Sequence, residues 1–299
     1  MVRSLAILLW LASSGWVSSQ EIGPNSTASE LAAILLDEAQ HLDTRLEAIR
    51  VLSSFGDEAR AEVGALVDVL LDAPSSDLRS AAAVALRELG PLDCRVVPAL
   101  TLALRTPHPT VRLRSAEAFL NPEIAALAER AVGALARMAY RDDRPENRAA
   151  AFASMAQIAE KPPILLRLLR RGLLAPGIPD RVPYVELAMA IEAREASVVD
   201  ALAQALDRSG GAARFAIIES LGLLGRGNRC AFEALEACLL GPGRSVRIAC
   251  MDSILLWGSD ATMFLPALDA LILVEDPQVR SAAMDTRSKI LTLQSNEKP

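Results

Sequence analysis

The sequence predicts an all-α protein: an α–α superhelix, or solenoid, of about eight antiparallel helix pairs. Three observations predict it. Arginine recurs at Arg45, Arg79, Arg112, Arg148, Arg181, Arg214, Arg247 and Arg280, in successive steps of 34, 33, 36, 33, 33, 33 and 33 residues. A period in that range marks stacked repeats, each hiding its apolar face only against its neighbours. Behind each arginine, the residues two, three, six, seven and ten later are mostly apolar or small, as in Ala81, Ala82, Ala85, Leu86 and Leu89. That is a helical stripe, and the same frame returns in every repeat. Glycine closes the frame at Gly56, Gly90, Gly225 and Gly258, where a helix end favours a left-handed residue.

The bulk numbers agree with an extended core of small side chains. Of 299 residues, 52% are hydrophobic and only 4% aromatic, with a mean hydropathy of +0.27. The core must therefore be Leu, Ala, Ile and Val, and runs such as Ala81-Ala82-Ala83 let helices approach closely. The formal charge is −6 and no dense basic stripe appears. That composition excludes nucleic acid as the expected partner, because phosphate neutralisation dominates such binding.

Taken in order, the chain opens on Arg3 and the apolar run that starts at Leu5, followed by Ser13-Ser14-Gly15 and Val17-Ser18-Ser19. This is the pattern of a secretory signal peptide over residues 1–19, with Val17 and Ser19 placed for cleavage before Gln20. The run from Leu5 to Val17 is too short for a bilayer, which needs roughly 20 apolar residues. The expectation is an exported protein, periplasmic or extracellular, with no stable membrane span in the mature chain. Residues 20–26 form a polar linker, and Asn25-Ser26-Thr27 fits a glycosylation sequon. Thr27-Ala28-Ser29-Glu30 is a capping box that starts the first helix.

The repeat array occupies residues 27–293, and 294–299 are a tail. Its pairs run over roughly 27–56, 60–90, 94–121, 122–160, 163–193, 196–225, 229–258 and 261–293. Each joins a leading helix, such as Val96 to Leu104, to an arginine helix, such as Leu78 to Leu89. Turns rich in Pro, Asp, Ser and Gly separate them, as in Ala73-Pro74-Ser75-Ser76-Asp77. Two places depart from the frame. The third pair ends early at Asn121-Pro122, which predicts a longer leading helix next. Ala159 and Glu192 stand where pairs four and five should have their closing glycine, which predicts a change of curvature mid-array.

The stretches Asp276-Pro277-Gln278-Val279-Arg280-Ser281-Ala282-Ala283, Thr110-Val111-Arg112 and Ser245-Val246-Arg247, with the Pro-Ala-Leu starts at Pro98 and Pro266, carry a resemblance. The chain resembles the HEAT repeat family, including the HEAT-like repeats of phycobilisome lyases. The resemblance implies that the arginine helices line a concave face, and that the arginines reach acidic turn residues of adjacent repeats. Asp43, Asp77, Asp180 and Asp276 are available for that role. Aligned guanidiniums reading an anionic ligand are the alternative.

Two columns beside the arginine point to a partner. Five residues on stand Glu186, Glu219, Asp252 and Asp285, which lie well away from the buried stripe. They read either as a solvated face or as an acidic ladder steering a basic partner. One and four residues on stand Val182 and Val185, Phe215 and Ile218, Ile248 and Met251. These read either as covered by stacked neighbours or as an exposed apolar groove. The candidate partner-binding set is Val182, Glu186, Phe215, Ile218, Glu219, Ile248, Met251, Asp252 and Asp285. The partner it suits is a protein or peptide, basic and amphipathic.

Other groups are bland. Arg137, Arg141, Arg144, Arg167, Arg170 and Arg171 read as a solvated convex face, with anion contact as the alternative. Cys94, Cys230, Cys238 and Cys250 contain no C-x-x-C, so zinc is unsupported. Cys238 and Cys250 replace small residues of other repeats and read as buried thiols before a disulfide. Only His41 and His108 occur, both at helix boundaries, which leaves no metal set and no nucleophile–histidine arrangement. No cofactor or metal and no catalytic residue is expected. The reading is an exported, non-enzymatic HEAT-repeat scaffold that binds a protein on its concave face. A HEAT-like lyase-type enzyme and a purely architectural spacer are the alternatives.

Overall fold

The computed structural model describes residues 22–23, 26–91, 93–158, 163–176, 180–274 and 276–296. The expected signal peptide and Asn25 of the sequon lie outside the described residues. No strand occurs among the residues described. The helices fall into two compact units, divided between Gln157 and Ile158.

In the first unit α1 (Ala28–Leu36) pairs with α2 (Leu42–Ser53), α3 (Val63–Asp72) with α4 (Ser76–Leu89), and α5 (Val96–Ala103) with α6 (Pro109–Ala118). A short α7 (Pro122–Ala126) precedes the pair α8 (Val132–Arg141) and α9 (Pro145–Gln157). In the second unit the pairs are α10 (Pro163–Leu174) with α11 (Val182–Ala190), α12 (Ala196–Leu206) with α13 (Gly211–Leu224), α14 (Arg229–Leu240) with α15 (Arg244–Ile254), and α16 (Leu265–Ile272) with α17 (Pro277–Asn296). Within each unit like helices stack on like. The arginine helices form the layers α2–α4–α6–α9 and α11–α13–α15–α17, and in the second unit the leading helices form α10–α12–α14–α16.

Local sequence sets the ends. The capping box at Thr27 and Glu30 forms as expected. Ser75 caps α4 and Asn228 caps α14, each side-chain oxygen accepting an orphan backbone N–H. Asn121 caps α7 and also donates to the Arg87 carbonyl at 2.7 Å. The extra residues of the 36-residue step therefore become α7 and a 3₁₀ turn, not a longer leading helix, because Asn121-Pro122 starts a helix that breaks at Leu127 and restarts at Val132. Gly56, Gly90 and Gly258 take the left-handed region (φ 56°, 74° and 62°). Gly225 does not (φ −86°); Gly227 takes that role two residues on (φ 79°). Glu192 stands in a glycine's place and adopts φ 49°. The run Arg244–Ile272 is long and apolar enough to cross a membrane by length and composition, but the reversal at Gly258 divides it into helices of two different pairs.

The arginine column forms one repeated contact, and it differs from the expectation. The guanidiniums do not bridge to the turn acids as a rule. They fold back on the carbonyl end of the leading helix of their own pair. Arg45 donates to Leu35 O at 2.9 Å, Arg79 to Leu70 O at 3.0 Å, and Arg181 to Leu173 O at 2.9 Å and Ala175 O at 3.3 Å. Arg148 donates to the carbonyls of Asp142 and Asp143, Arg247 to Gly241 O at 2.7 Å, and Arg280 to Val274 O. The last carbonyls of a helix lack intrahelical partners and carry the negative end of its dipole, so a cation there answers both needs. The turn acids serve the opposite end. Asp180 accepts the Val182 N–H, Asp276 accepts those of Gln278 and Val279, and Asp43 and Asp77 sit in the first turns of α2 and α4.

Arg112 does both. It donates to Thr106 O and Pro107 O, and it grips the Asp142 carboxylate of the next pair at 2.6 and 3.1 Å. The Asp142 side chain is 3% exposed. Burial raises its pKa, but hydrogen bonds from Arg112, the Arg144 backbone N–H and Asn147, with the Arg112 charge, more than offset this and hold the carboxyl below its ordinary 3.8. Further pins join pairs three and four: Asn147 Nδ2 donates to Pro109 O, and Ser154 Oγ to Ala116 O.

Position four after the arginine is buried, not outward-facing. Ile49, Ala83, Ala116, Val185, Ile218 and Met251 all lie in the core. The neighbouring arginine helix covers this flank. The equivalent residue on α17, the last described helix, is Met284, and it is 51% exposed. Close stacking of this kind depends on Gly222 on α13. A Cβ there would lie 2.7 Å from the Ser253 carbonyl oxygen and 3.1 Å from a Leu256 methyl.

Two predictions follow from these contacts. Gly222→Val should lower the thermal midpoint by overpacking the α13–α15 seam, at a cost of about 2 kcal/mol. A melt followed by circular dichroism checks it, and an unaltered midpoint would rule out close approach there. Asp142→Asn should cost about 3 kcal/mol by leaving Arg112 partly buried without its counter-charge. Because the folded-state pKa is depressed, the wild-type contribution is present above the ordinary carboxylate value and is lost as pH falls through the lowered one. Denaturant titrations across that range should show the gap between wild type and variant closing in acid; a constant gap would refute the assignment.

Candidate functional site

The arginine-helix layer of the second unit, α11–α13–α15–α17, presents one outward face. Residues one, five and nine after the arginine share it, since each step of four advances a helix only about 40° beyond a full turn. On α13 these are Phe215, Glu219 and Leu223. On α15 and its 3₁₀ extension they are Ile248, Asp252 and Leu256. Phe215 is 40% exposed, Leu223 42% and Leu256 52%, and Ile248 is half-buried. Each of these two helices therefore carries an acid between two apolar side chains, and the Gly222 seam sets the two rows side by side.

Of the nine residues expected to form the site, this face gathers seven. Glu186, Glu219, Asp252 and Asp285 are exposed, Phe215 is exposed, and Val182 and Ile248 are half-buried. Ile218 and Met251 do not belong to it. They are 0% and 1% exposed, because position four turns into the seam between adjacent arginine helices. Leu223 and Leu256 take their place as apolar members. The signal for them lay in the sequence as helical spacing from Glu219 and Asp252, four residues in each case.

The acids are not equivalent. Asp285 pairs with Lys289 at 2.7 Å, one turn along α17. Asp285, and at longer range Asp252, hold the Lys289 ammonium above its ordinary 10.5. Lys289 occupies position nine of its helix, where α13 and α15 have leucine, so the acidic column is partly neutralised at its last helix. Among the described residues no ion pair engages Glu186, Glu219 or Asp252. In the first unit the same column holds Arg50, which pairs with Glu47; Val84; Glu117, which pairs with Arg114 at 2.7 Å; and Ala153.

Other expected features are distributed differently. Arg137 and Arg141 line a depression of about 370 Å³ with Arg105 and Arg112, while Arg144 faces Glu146 at 3.8 Å. Arg167, Arg170 and Arg171 are exposed on α10 of the second unit. His41 and His108 stand at the N-caps of α2 and α6. Among the described residues no group of three or more His, Cys, Asp or Glu is placed to hold a metal ion. A cavity of about 560 Å³ lies beside α5, lined by Val97, Pro98, Leu102 and Leu127, with Cys94 and Arg130 on its wall; the repeat frame carried no sign of it.

No family model matches the chain, and no curated protein matches it. Solved structures do. Kap121p bound to Pho4p superimposes with a TM-score of 0.61 at 13% identity over 90% of this chain and 33% of that one. The Kap95:Nup1 complex gives 0.56 at 14% over 97% and 43%. YibA of E. coli gives 0.52 at 19% over 87% and 92%. The chain spans about a third of Kap121p, 33% of its length. At these identities the likeness shows the fold, an all-α array of HEAT-type helix pairs.

Proposed function

We propose that this protein is an exported, non-enzymatic scaffold that captures a basic, amphipathic protein segment on the arginine-helix face of its second unit. One observation carries the reading: the rows Phe215–Glu219–Leu223 and Ile248–Asp252–Leu256 lie side by side, exposed except for the half-buried Ile248, with neither central acid in an ion pair among the described residues. Apolar side chains flanking a carboxylate suit a helix or strand that alternates leucine-like residues with lysine or arginine. The unpaired acids would steer it and fix its register, and the apolar residues would hold it. The resemblance to HEAT repeats implies that this face is the concave one. Two structural neighbours, Kap121p bound to Pho4p and the Kap95:Nup1 complex, are protein complexes on this fold. The acid of pair five, Glu186, has an apolar companion as well, the half-buried Val182.

A synthetic amphipathic peptide of leucine and arginine, labelled for anisotropy, tests the chemistry. The double variant Glu219→Lys/Asp252→Lys should weaken binding at least about tenfold, the loss expected when two steering charges become repulsive. Its circular dichroism melt should stay close to wild type, since both side chains are exposed. Lys289→Ala should act in the opposite sense and tighten binding, because it releases Asp285. Affinity capture from the native envelope fraction should lose the same bands with the double variant. Equal binding by all three proteins would eliminate the acidic column and leave a spacer role. Export belongs to the same proposal and rests on residues 1–19. Amino-terminal sequencing of the secreted chain should begin at Gln20, and a chain retained with Met1 intact would remove export from it.

A further inference from the structure

One arginine of the column breaks the rule. Arg214 makes no bond to the end of its leading helix α12. There the turn closes itself: Arg208 N–H and Ser209 Oγ both donate to Ala205 O, and Ser209 N–H to Leu206 O. Freed from that duty, the guanidinium reaches into the next pair and donates from Nη2 to Cys238 Sγ at 3.5 Å, while its Nε is buried without a hydrogen-bond partner. Cys238 on α14 is 3% exposed, and its thiol also accepts a hydrogen bond from Cys250 on α15, which is 0% exposed. Both are free thiols. Two sulfurs in contact, one of them facing a cation with donor capacity to spare, is the arrangement that stabilises a thiolate inside a fold.

We infer that Cys238 and Cys250 form an oxidisable thiol pair, with Arg214 as its positioning cation, that a hydroperoxide converts to a disulfide tying α14 to α15. In the first step the Cys238 thiolate attacks one peroxide oxygen. The S–O bond forms as the O–O bond breaks, and hydroxide from hydrogen peroxide, or alkoxide from an alkyl hydroperoxide, leaves and takes up the proton lost when the thiol ionised. Cys238 is now a sulfenic acid. In the second step the Cys250 sulfur attacks it, the S–S bond forms as the S–O bond breaks, and the departing hydroxide leaves as water with the Cys250 proton. The pair gives up two electrons and the peroxide accepts them.

The division of roles follows from the surroundings. The Cys238 thiol is held below its ordinary 9.0, first by the Cys250 hydrogen bond and, against burial, by Arg214; Asp207 opposes this. Cys250, the donor of that hydrogen bond and the more deeply buried thiol, is pushed up. Cys238 is therefore the attacking sulfur and Cys250 the resolving one. The exposed Cys230 is raised, by burial first and then by the nearby Asp200 carboxylate, so exposure and reactivity are set against each other within one chain. This inference stands apart from the proposed partner site, although Cys250 lies on α15 between Ile248 and Asp252.

The test treats the full chain, reduced and freed of reductant, with hydrogen peroxide, then alkylates it in denaturant and maps the peptides. The expected product joins the Cys238 and Cys250 peptides with loss of two hydrogens, while Cys94 and Cys230 remain alkylated. Cys250→Ser should stop the reaction at the sulfenic acid, which dimedone captures on Cys238. Arg214→Gln should slow disulfide formation about tenfold, the factor that accompanies one unit of thiol pKa. If Arg214→Gln fails to fold, the dimedone capture in Cys250→Ser decides alone. Oxidation of Cys94 or Cys230 ahead of the pair, dimedone on those residues in place of Cys238, or an unaltered rate in a folded Arg214→Gln protein would overturn the inference.

Discussion

A helix pair that stacks on its neighbours must hide the carbonyl end of its leading helix, where the backbone oxygens have no partners and the dipole is negative. Here an arginine from the following helix closes that end in seven of the eight pairs. A charge-assisted hydrogen bond of this kind contributes about 1.5–3 kcal/mol where it is shielded, and the planar fork can serve two oxygens at once, as Arg112, Arg148 and Arg181 do. The reach varies: Arg45 spans ten residues back to Leu35, and Arg247 six back to Gly241. A long side chain thus absorbs differences in turn length without disturbing the angle between helices. Turns can vary while the 33-residue frame, and everything that projects from it, stays in register.

That constraint explains what the sequence made legible. The arginines, the apolar stripe and the closing glycines are local necessities, so they recur and can be read by spacing. Gly90 and Gly258 do what the frame requires, and Glu192 adopts the left-handed backbone even without glycine's freedom. The face at position four was less legible. Helical angles alone turn Ile218 and Met251 away from the stripe, but a layered array covers each helix on its flanks as well as beneath it. The exposed Met284 on the last helix and the buried Ile218 and Met251 before it separate the two effects. Leu223 and Leu256 were hidden for the converse reason: a leucine late in a helix reads as core until its flank is known to be open. The target of the arginines is not legible in the sequence, because backbone carbonyls leave no trace there, whereas aspartates in turns do.

Arg214 is informative because it is the exception. Its frame position is regular, its stripe is regular, and its helix forms as the others do. Only the turn before it differs, with Ser209 and the backbone satisfying the oxygens that an arginine satisfies elsewhere. A guanidinium released from a structural bond and left partly unsatisfied in the interior costs stability unless another group takes it up. The group that takes it up is the Cys238 sulfur, and Cys238 and Cys250 both stand where other repeats place small residues such as Ala205 and Ala82. Departures from an otherwise self-consistent frame are where chemistry beyond folding is expected.

In the first unit position five holds arginine, valine, a paired glutamate and alanine, and those helices stack as well as any. The scaffold therefore has no requirement for an acid there. Four consecutive acids in the second unit, spaced by the repeat and flanked by exposed Phe215, Leu223 and Leu256, are a cost to that unit: like charges on neighbouring helices repel, and apolar area remains in water. Among the described residues an ion pair offsets that cost at one end, by Lys289 against Asp285. For Glu219 and Asp252, a cationic and apolar segment from another molecule would relieve both penalties together.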